Sequence, residues 1–163
     1  MGDVDAVTRA VLTASRVLVG VSAHSLSAVE GKVTLSQFRL LVVPSVHGAT
    51  NLSRVAELLG VNPSTAMRMI DRLTTVGFAD RQANPDNRRE TLIQLTADGH
   101  RVVDEVTTRR GEEIAAIVGR MGPAQGTALV EALTAFTEAA GEPAVPSAGH
   151  DAYPLGWTNE PRR

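Results

Sequence analysis

The chain contains no cysteine. That absence removes disulfides, thiolate metal sites, cysteine nucleophiles and thiol-based redox sensing together. Aromatic residues are nearly as scarce: Phe38, Phe78, Phe136, Tyr153 and Trp157 are the full set in 163 residues. A core built under that limit has to be Leu, Val, Ile and Ala, which suits packed helices. No apolar run is expected to approach a membrane span, and a start carrying Asp3 and Asp5 lacks the basic-then-apolar pattern of a signal peptide. The sequence has no Gly-rich phosphate loop and no nucleophile–base pair, so an enzyme is not expected. Its four histidines (His24, His47, His100, His150) are scattered, so neither a metal nor another cofactor is expected. What remains is a single cytoplasmic domain, large enough to bury a core.

The charge is small, −2 overall, but unevenly placed. Residues 31–101 carry nine basic and six acidic side chains, whereas residues 102–163 carry five basic and nine acidic ones. A basic middle between acidic flanks can orient a nucleic-acid-binding face while the rest stays soluble. Lys32 is the only lysine, so almost all of that positive charge is guanidinium.

Periodicity and capping residues divide the chain into elements. Val4, Val7, Val11, Ala14, Leu18 and Val21 recur at three- and four-residue spacing, predicting a long first helix over residues 4–29 that Gly31 ends. Thr34-Leu-Ser-Gln37 is a capping box opening a second helix, in which Pro44 should produce a kink or a stop near Val43. Asn51 caps a helix over 52–59 closed by Gly60. Asn62 caps the next, with Pro63 at its first position and Gly77 at its end. Two short strands follow, from Phe78 to about Gln82 and from Thr91 to Leu95, around the turn Asn84-Pro85-Asp86-Asn87. Thr96 caps a long helix to about Arg120, with Val103, Val106, Ile114, Ile117 and Met121 inward. After Gly122-Pro123 a last helix runs to about Ala140, carrying Leu129, Leu133 and Phe136.

A helix pair joined by a short turn at Gly60 and followed by a hairpin is a winged helix-turn-helix. The outer face of the second helix offers Ser64 and Thr65 near its start and Arg68 and Arg72 one turn apart. Hydroxyls and helix-start N–H groups suit phosphates, and arginine reaches guanine O6 and N7 with two hydrogen bonds. The fold class expected is mainly α with a small β-wing. Residues 31–99 form the winged domain, 1–30 and 100–141 the dimerisation helices, and 142–163 a Pro/Gly-rich tail holding Tyr153 and Trp157. The alternative is a winged module that binds protein rather than DNA.

The residues Ala56-Glu-Leu-Leu-Gly60, Ser64-Thr65, Arg68, Asp71-Arg72-Leu73, Gly77-Phe78, Asp86-Asn87-Arg88 and Leu95-Thr96-Ala97-Asp98-Gly99 resemble the multiple-antibiotic-resistance regulator (MarR) family of bacterial transcription factors. The resemblance implies a homodimer on a pseudo-palindromic duplex, acting as a repressor released by a small anionic or phenolic effector. By position it places Arg88 at the wing tip in the minor groove, held by Asp86, with Arg89 a second wing cation. Ser64, Thr65 and Arg68 would face the major groove, and Ser53, Arg54 and Arg72 the phosphates. Met67 departs from the polar residue many relatives carry there. His24 and His47 are the candidate ligand-binding residues, in a cleft between dimer helices and winged domain.

Overall fold

A computed structural model describes residues 2–29 and 31–141; the tail with Tyr153 and Trp157 lies outside them. The elements in chain order are α1 (Gly2–Ser27), α2 (Leu35–His47), β1 (Thr50–Asn51), α3 (Leu52–Leu59), α4 (Pro63–Thr75), β2 (Ala79–Ala83), β3 (Thr91–Leu95), α5 (Ala97–Val118) and α6 (Pro123–Ala140). The strands form one antiparallel sheet in the order β1-β3-β2, with Thr50 opposite Ile93 and Arg81 opposite Ile93 from the other side. Strand β1 is invisible to a periodicity reading, because two residues carry no alternation.

The helix starts follow their caps. The Oγ1 of Thr34 accepts from the Gln37 N–H at 3.3 Å, and the Gln37 side chain accepts from the Thr34 N–H at 2.9 Å. Asn51, Asn62 and Thr96 each accept from the N–H three residues on. Each such bond satisfies a donor the helix itself leaves open. Gly60 supplies the left-handed residue (φ 65°) that turns α3 into α4.

Three expectations need correcting. Pro44 neither stops α2 nor ends it early; the helix continues to His47. Its missing N–H costs one bond within the last turn, and its ring is buried with Phe38, Leu41 and Val43, which offsets that loss. Helix α1 ends at Ser27, before Gly31. The segment Asp3–Ser27 is also long and apolar enough to cross a membrane by length and composition, with a mean hydropathy of 1.3. The cause is the density of Val, Ala and Leu between its few charges.

The core joins α2, α3, α4, the sheet and the first half of α5 around Phe38, Leu41, Val55, Ile70, Leu73, Ile93 and Val106. By contrast, Val4, Val7, Leu12, Leu18 and Val19 on α1 and Val130, Leu133 and Phe136 on α6 are exposed. Leu129, Ile114, Ile117 and Met121 are only partly covered. The expected apolar stripes exist, but of their large side chains the single chain buries only Val21, Val103 and Val106.

The junction between wing and α5 is tight. Thr96 donates its backbone N–H to Phe78 O at 3.2 Å and its hydroxyl to Gly77 O at 2.6 Å, while capping Gly99. A Cβ on Gly99 would collide with the Phe78 carbonyl oxygen, far inside van der Waals contact. The Leu-Thr-x-x-Gly pattern is thus a packing requirement. Gly99→Ala should lower unfolding free energy by about 3 kcal/mol or prevent folding, as read by urea denaturation. A midpoint equal to that of the native chain would show the contact to be loose.

Candidate nucleic-acid interface

Helix α4 presents its outer face because its inner one is fully used: Ala66, Ile70 and Leu73 are buried, with Met69 partly so. Ser64, Met67, Arg68, Asp71 and Arg72 are exposed and Thr65 is half-buried. At its start, Asn62 Oδ1 accepts from the Thr65 N–H at 2.8 Å and from the Ser64 hydroxyl at 2.7 Å. Arg68 reaches Thr65 Oγ1 only at 3.4 Å, so its guanidinium keeps most of its donors open.

The wing is the connection 84–90 between β2 and β3. Asn84 N–H donates to Glu90 O, Asn87 N–H to Asn84 O and Glu90 N–H to Asn87 O. Side chains reinforce this turn: Asn84 Oδ1 accepts from the Asp86 N–H at 3.0 Å, and Asn87 Oδ1 from the Arg89 N–H at 3.2 Å. Asp86, Arg88 and Arg89 are exposed. No hydrogen bond or ion pair joins Asp86 to Arg88 among the described residues. The turn itself is ordered by these asparagine side chains.

Three of the acids of residues 31–101 are paired with other arginines. Glu57 pairs with Arg54 at 3.0 Å, Asp98 with Arg101, and Asp71 with Arg81. Arg68, Arg72, Arg88 and Arg89 form no ion pair with an acid among the described residues. Four uncompensated guanidinium groups therefore lie on α4 and the wing. Ser53 is exposed in the first turn of α3, and Arg54, half-buried beside it, spends part of its charge on Glu57.

Arg81, on β2, is a residue that sequence reasoning misses. Besides its pair with Asp71 of α4, its Nη2 lies 3.4 Å from Met67 Sδ. It thereby spans a cavity of about 290 Å³ between α4, the start of α3 and the wing, lined among others by Ser53, Met67, Ile70, Arg89 and Glu90. The available signal is an arginine in β2 ten residues after an aspartate of α4; only the fold shows that they meet.

The candidate ligand residues lie elsewhere. His24 Nδ1 is 2.7 Å from Glu113 Oε1, joining α1 to α5, with the imidazole largely exposed. His47 is exposed in the last turn of α2. Neither lines the 290 Å³ cavity. On α5 itself, Arg110 is half-buried, and desolvation lowers its pKa.

A sequence model of the MarR family matches residues 33–91, the stretch from the end of the α1–α2 connection through the wing. The crystal structure of Rv1404 from Mycobacterium tuberculosis is 52% identical and superposes with a TM-score of 0.79, covering 88% of this chain and 97% of that one. The chain belongs to the MarR family. The multiple antibiotic resistance protein MarR of Salmonella typhimurium is 29% identical over 82 residues, half of this chain and 57% of that protein. The match thus spans little more than half the length of this curated relative. Apo MarR from E. coli shares the fold at 20% identity, with a TM-score of 0.65 over 79% of this chain and 95% of that one.

Asn62 is the side chain on which the start of α4 depends. Asn62→Ala should cost about 1 kcal/mol of stability by uncapping the helix, and Asn62→Asp should restore most of it. Denaturant midpoints with unchanged slope check this; equal midpoints for Asn62→Ala and the native chain would remove the cap from the account.

Proposed function

We propose that this protein is a homodimeric, sequence-specific DNA-binding transcriptional regulator. In this reading it works in the cytoplasm as a repressor that a small molecule releases, and it is not an enzyme. The observation that carries the reading is the set of four exposed arginines without acidic partners, Arg68 and Arg72 on α4 and Arg88 and Arg89 on the wing. An ordinary solvated surface of mixed charge would pair at least some of them with the six acids nearby in sequence. Instead those acids brace the scaffold or stand apart from these arginines.

In such a complex α4 enters the major groove with Ser64, Thr65 and Arg68 toward the bases. The wing sets Arg88 into the adjacent minor groove, with Asp86 free to engage it there. Ser53, Arg54, Arg72 and Arg89 serve the backbone. Met67, apolar and exposed, suits a thymine methyl better than a hydrogen-bonded base edge.

The dimer follows from uncovered apolar surface. Helices α1 and α6 expose a row of large side chains that the winged core leaves untouched, more than isolated surface residues account for. A second copy placing α1, α5 and α6 against their counterparts would bury them and space two α4 helices for a two-fold duplex. An anionic or phenolic effector would act by preferring a dimer whose α4 helices are wrongly spaced. In this reading His24 on α1 and His47 at the end of α2 are the side chains that would meet such an effector.

Light scattering at micromolar concentration should report a dimer; a monomer mass would remove the two-fold reading. On duplex DNA from upstream of its own gene, Arg88→Ala should weaken binding by about 1–3 kcal/mol. Affinity should also fall steeply with salt as counterions are released. Gel shifts showing equal affinity for Arg88→Ala and the native chain at physiological salt would take the wing out of the mechanism.

A further inference from the structure

Glu90 is the last residue of the wing turn, directly before β3, and it is half-buried. Its two carboxylate oxygens go to two different elements. Oε1 accepts from Asn51 Nδ2 at 2.5 Å and Oε2 from Asn84 Nδ2 at 2.6 Å. Asn84 lies across the hairpin, one residue beyond β2. Asn51 is the last residue of β1 and the cap of α3, opposite Leu92 on the other edge of β3.

Both asparagines are fixed in orientation. Asn51 Oδ1 accepts from the Arg54 N–H at 2.8 Å, and Asn84 Oδ1 from the Asp86 N–H at 3.0 Å. Each amide therefore presents its NH2 to Glu90 and cannot turn over without losing a cap or a turn bond. Bonds to an ionised acceptor are about twice as strong as neutral ones. They sit where they matter, since β1 pairs with β3 over only two residues and residues 84–90 project past that pairing.

We propose that Glu90 is a positioning residue that ties the wing to the first helix of the helix-turn-helix through Asn51 and Asn84. An acid on a face meant for DNA is an electrostatic liability, and neither of its oxygens forms an ion pair with Arg88 or Arg89. Its role is internal: it sets the angle at which the wing leaves the sheet. The consequence for binding rests on the DNA-binding reading above, whereas the tie itself does not.

The polarity of the bonds supplies the test. Asn51→Asp keeps the cap on α3 but replaces the donor facing Glu90 with a carboxylate. Glu90→Gln keeps one bond and sets an NH2 against the other asparagine. The double variant Asn51→Asp/Glu90→Gln reverses the first bond, since the new amide at position 90 donates to the new carboxylate at position 51. The oxygen of that amide remains to accept from Asn84. Amide hydrogen exchange of Asn87 and residue 90 in the free protein should speed about tenfold in each single variant and return to within about twofold in the double. Singles exchanging at the native rate, or a double as fast as the singles, would overturn the proposal. On DNA from upstream of its gene, Asn51→Asp should lose hydroxyl-radical protection of the flanking minor groove while keeping protection at the α4 contacts. Retained flank protection would also count against the proposal. If the native chain binds no duplex at all, the DNA-binding reading fails while the exchange rates still decide the tie.

Discussion

The approach of α5 to the Phe78 carbonyl is the constraint on which the rest of the molecule depends. Only a residue without Cβ fits there, since the carbonyl oxygen already occupies the place a Cβ would take on Gly99. Thr96 completes the contact by bonding Gly77 and Phe78 on one side and capping α5 on the other. The root of the wing and the first turn of α5 are thereby one unit. From that root α5 runs 22 residues, about 33 Å at helical rise, out to the exposed apolar surface. At the wing root the near end of α5 is closely packed, with no room for an added methyl group.

Charge is arranged with similar economy. Of the eight arginines in residues 31–101, seven divide into two sets by what they touch. Arg54, Arg81 and Arg101 are paired with acids one turn away or on the neighbouring element. Pairs this exposed contribute little to stability, at most about 1 kcal/mol each. Their greater effect is to neutralise the acids, so that the positive field of Arg68, Arg72, Arg88 and Arg89 is not cancelled locally. The net charge of the chain conceals this; the pairing pattern reveals it.

What is legible in the sequence is whatever depends on neighbours in sequence. Caps at Thr34, Asn51, Asn62 and Thr96 and the left-handed Gly60 are local geometry, and each stands where its residue type implies. The wing turn is legible for the same reason. Features decided by distant partners are not. Strand β1 exists because β3 lies beside it, and Pro44 is tolerated because its ring enters a core that α3 and α5 help to enclose. The Arg81–Asp71 contact spans two elements, and Glu90 meets Asn51 across 39 positions. Arg88 shows the converse: a motif suggests Asp86 as its partner, and the turn gives the ordering role to Asn84 and Asn87.

Helix α1 presents the remaining choice, between lipid and a second copy of the chain. Its composition alone permits a membrane span, but from Asp5 on its charged residues and His24 are not scattered. Asp5, Arg9, Thr13, Arg16, Gly20, His24 and Ser27 follow one another at spacings of three and four, which places them on a single stripe. Arg9 and Arg16 inside a bilayer would each cost about 2.5–3.5 kcal/mol near its centre, with no acid on the same stripe between them. In a helical dimer interface the same stripe faces water or the edge of α5, where His24 meets Glu113, and the exposed Val4, Val7 and Leu18 face inward. The lower end of α1 is already committed to this chain, with Val21 and Ser25 buried. A helix anchored to a folded core at one end, with one wet stripe along its whole length, is better matched to a protein partner than to lipid.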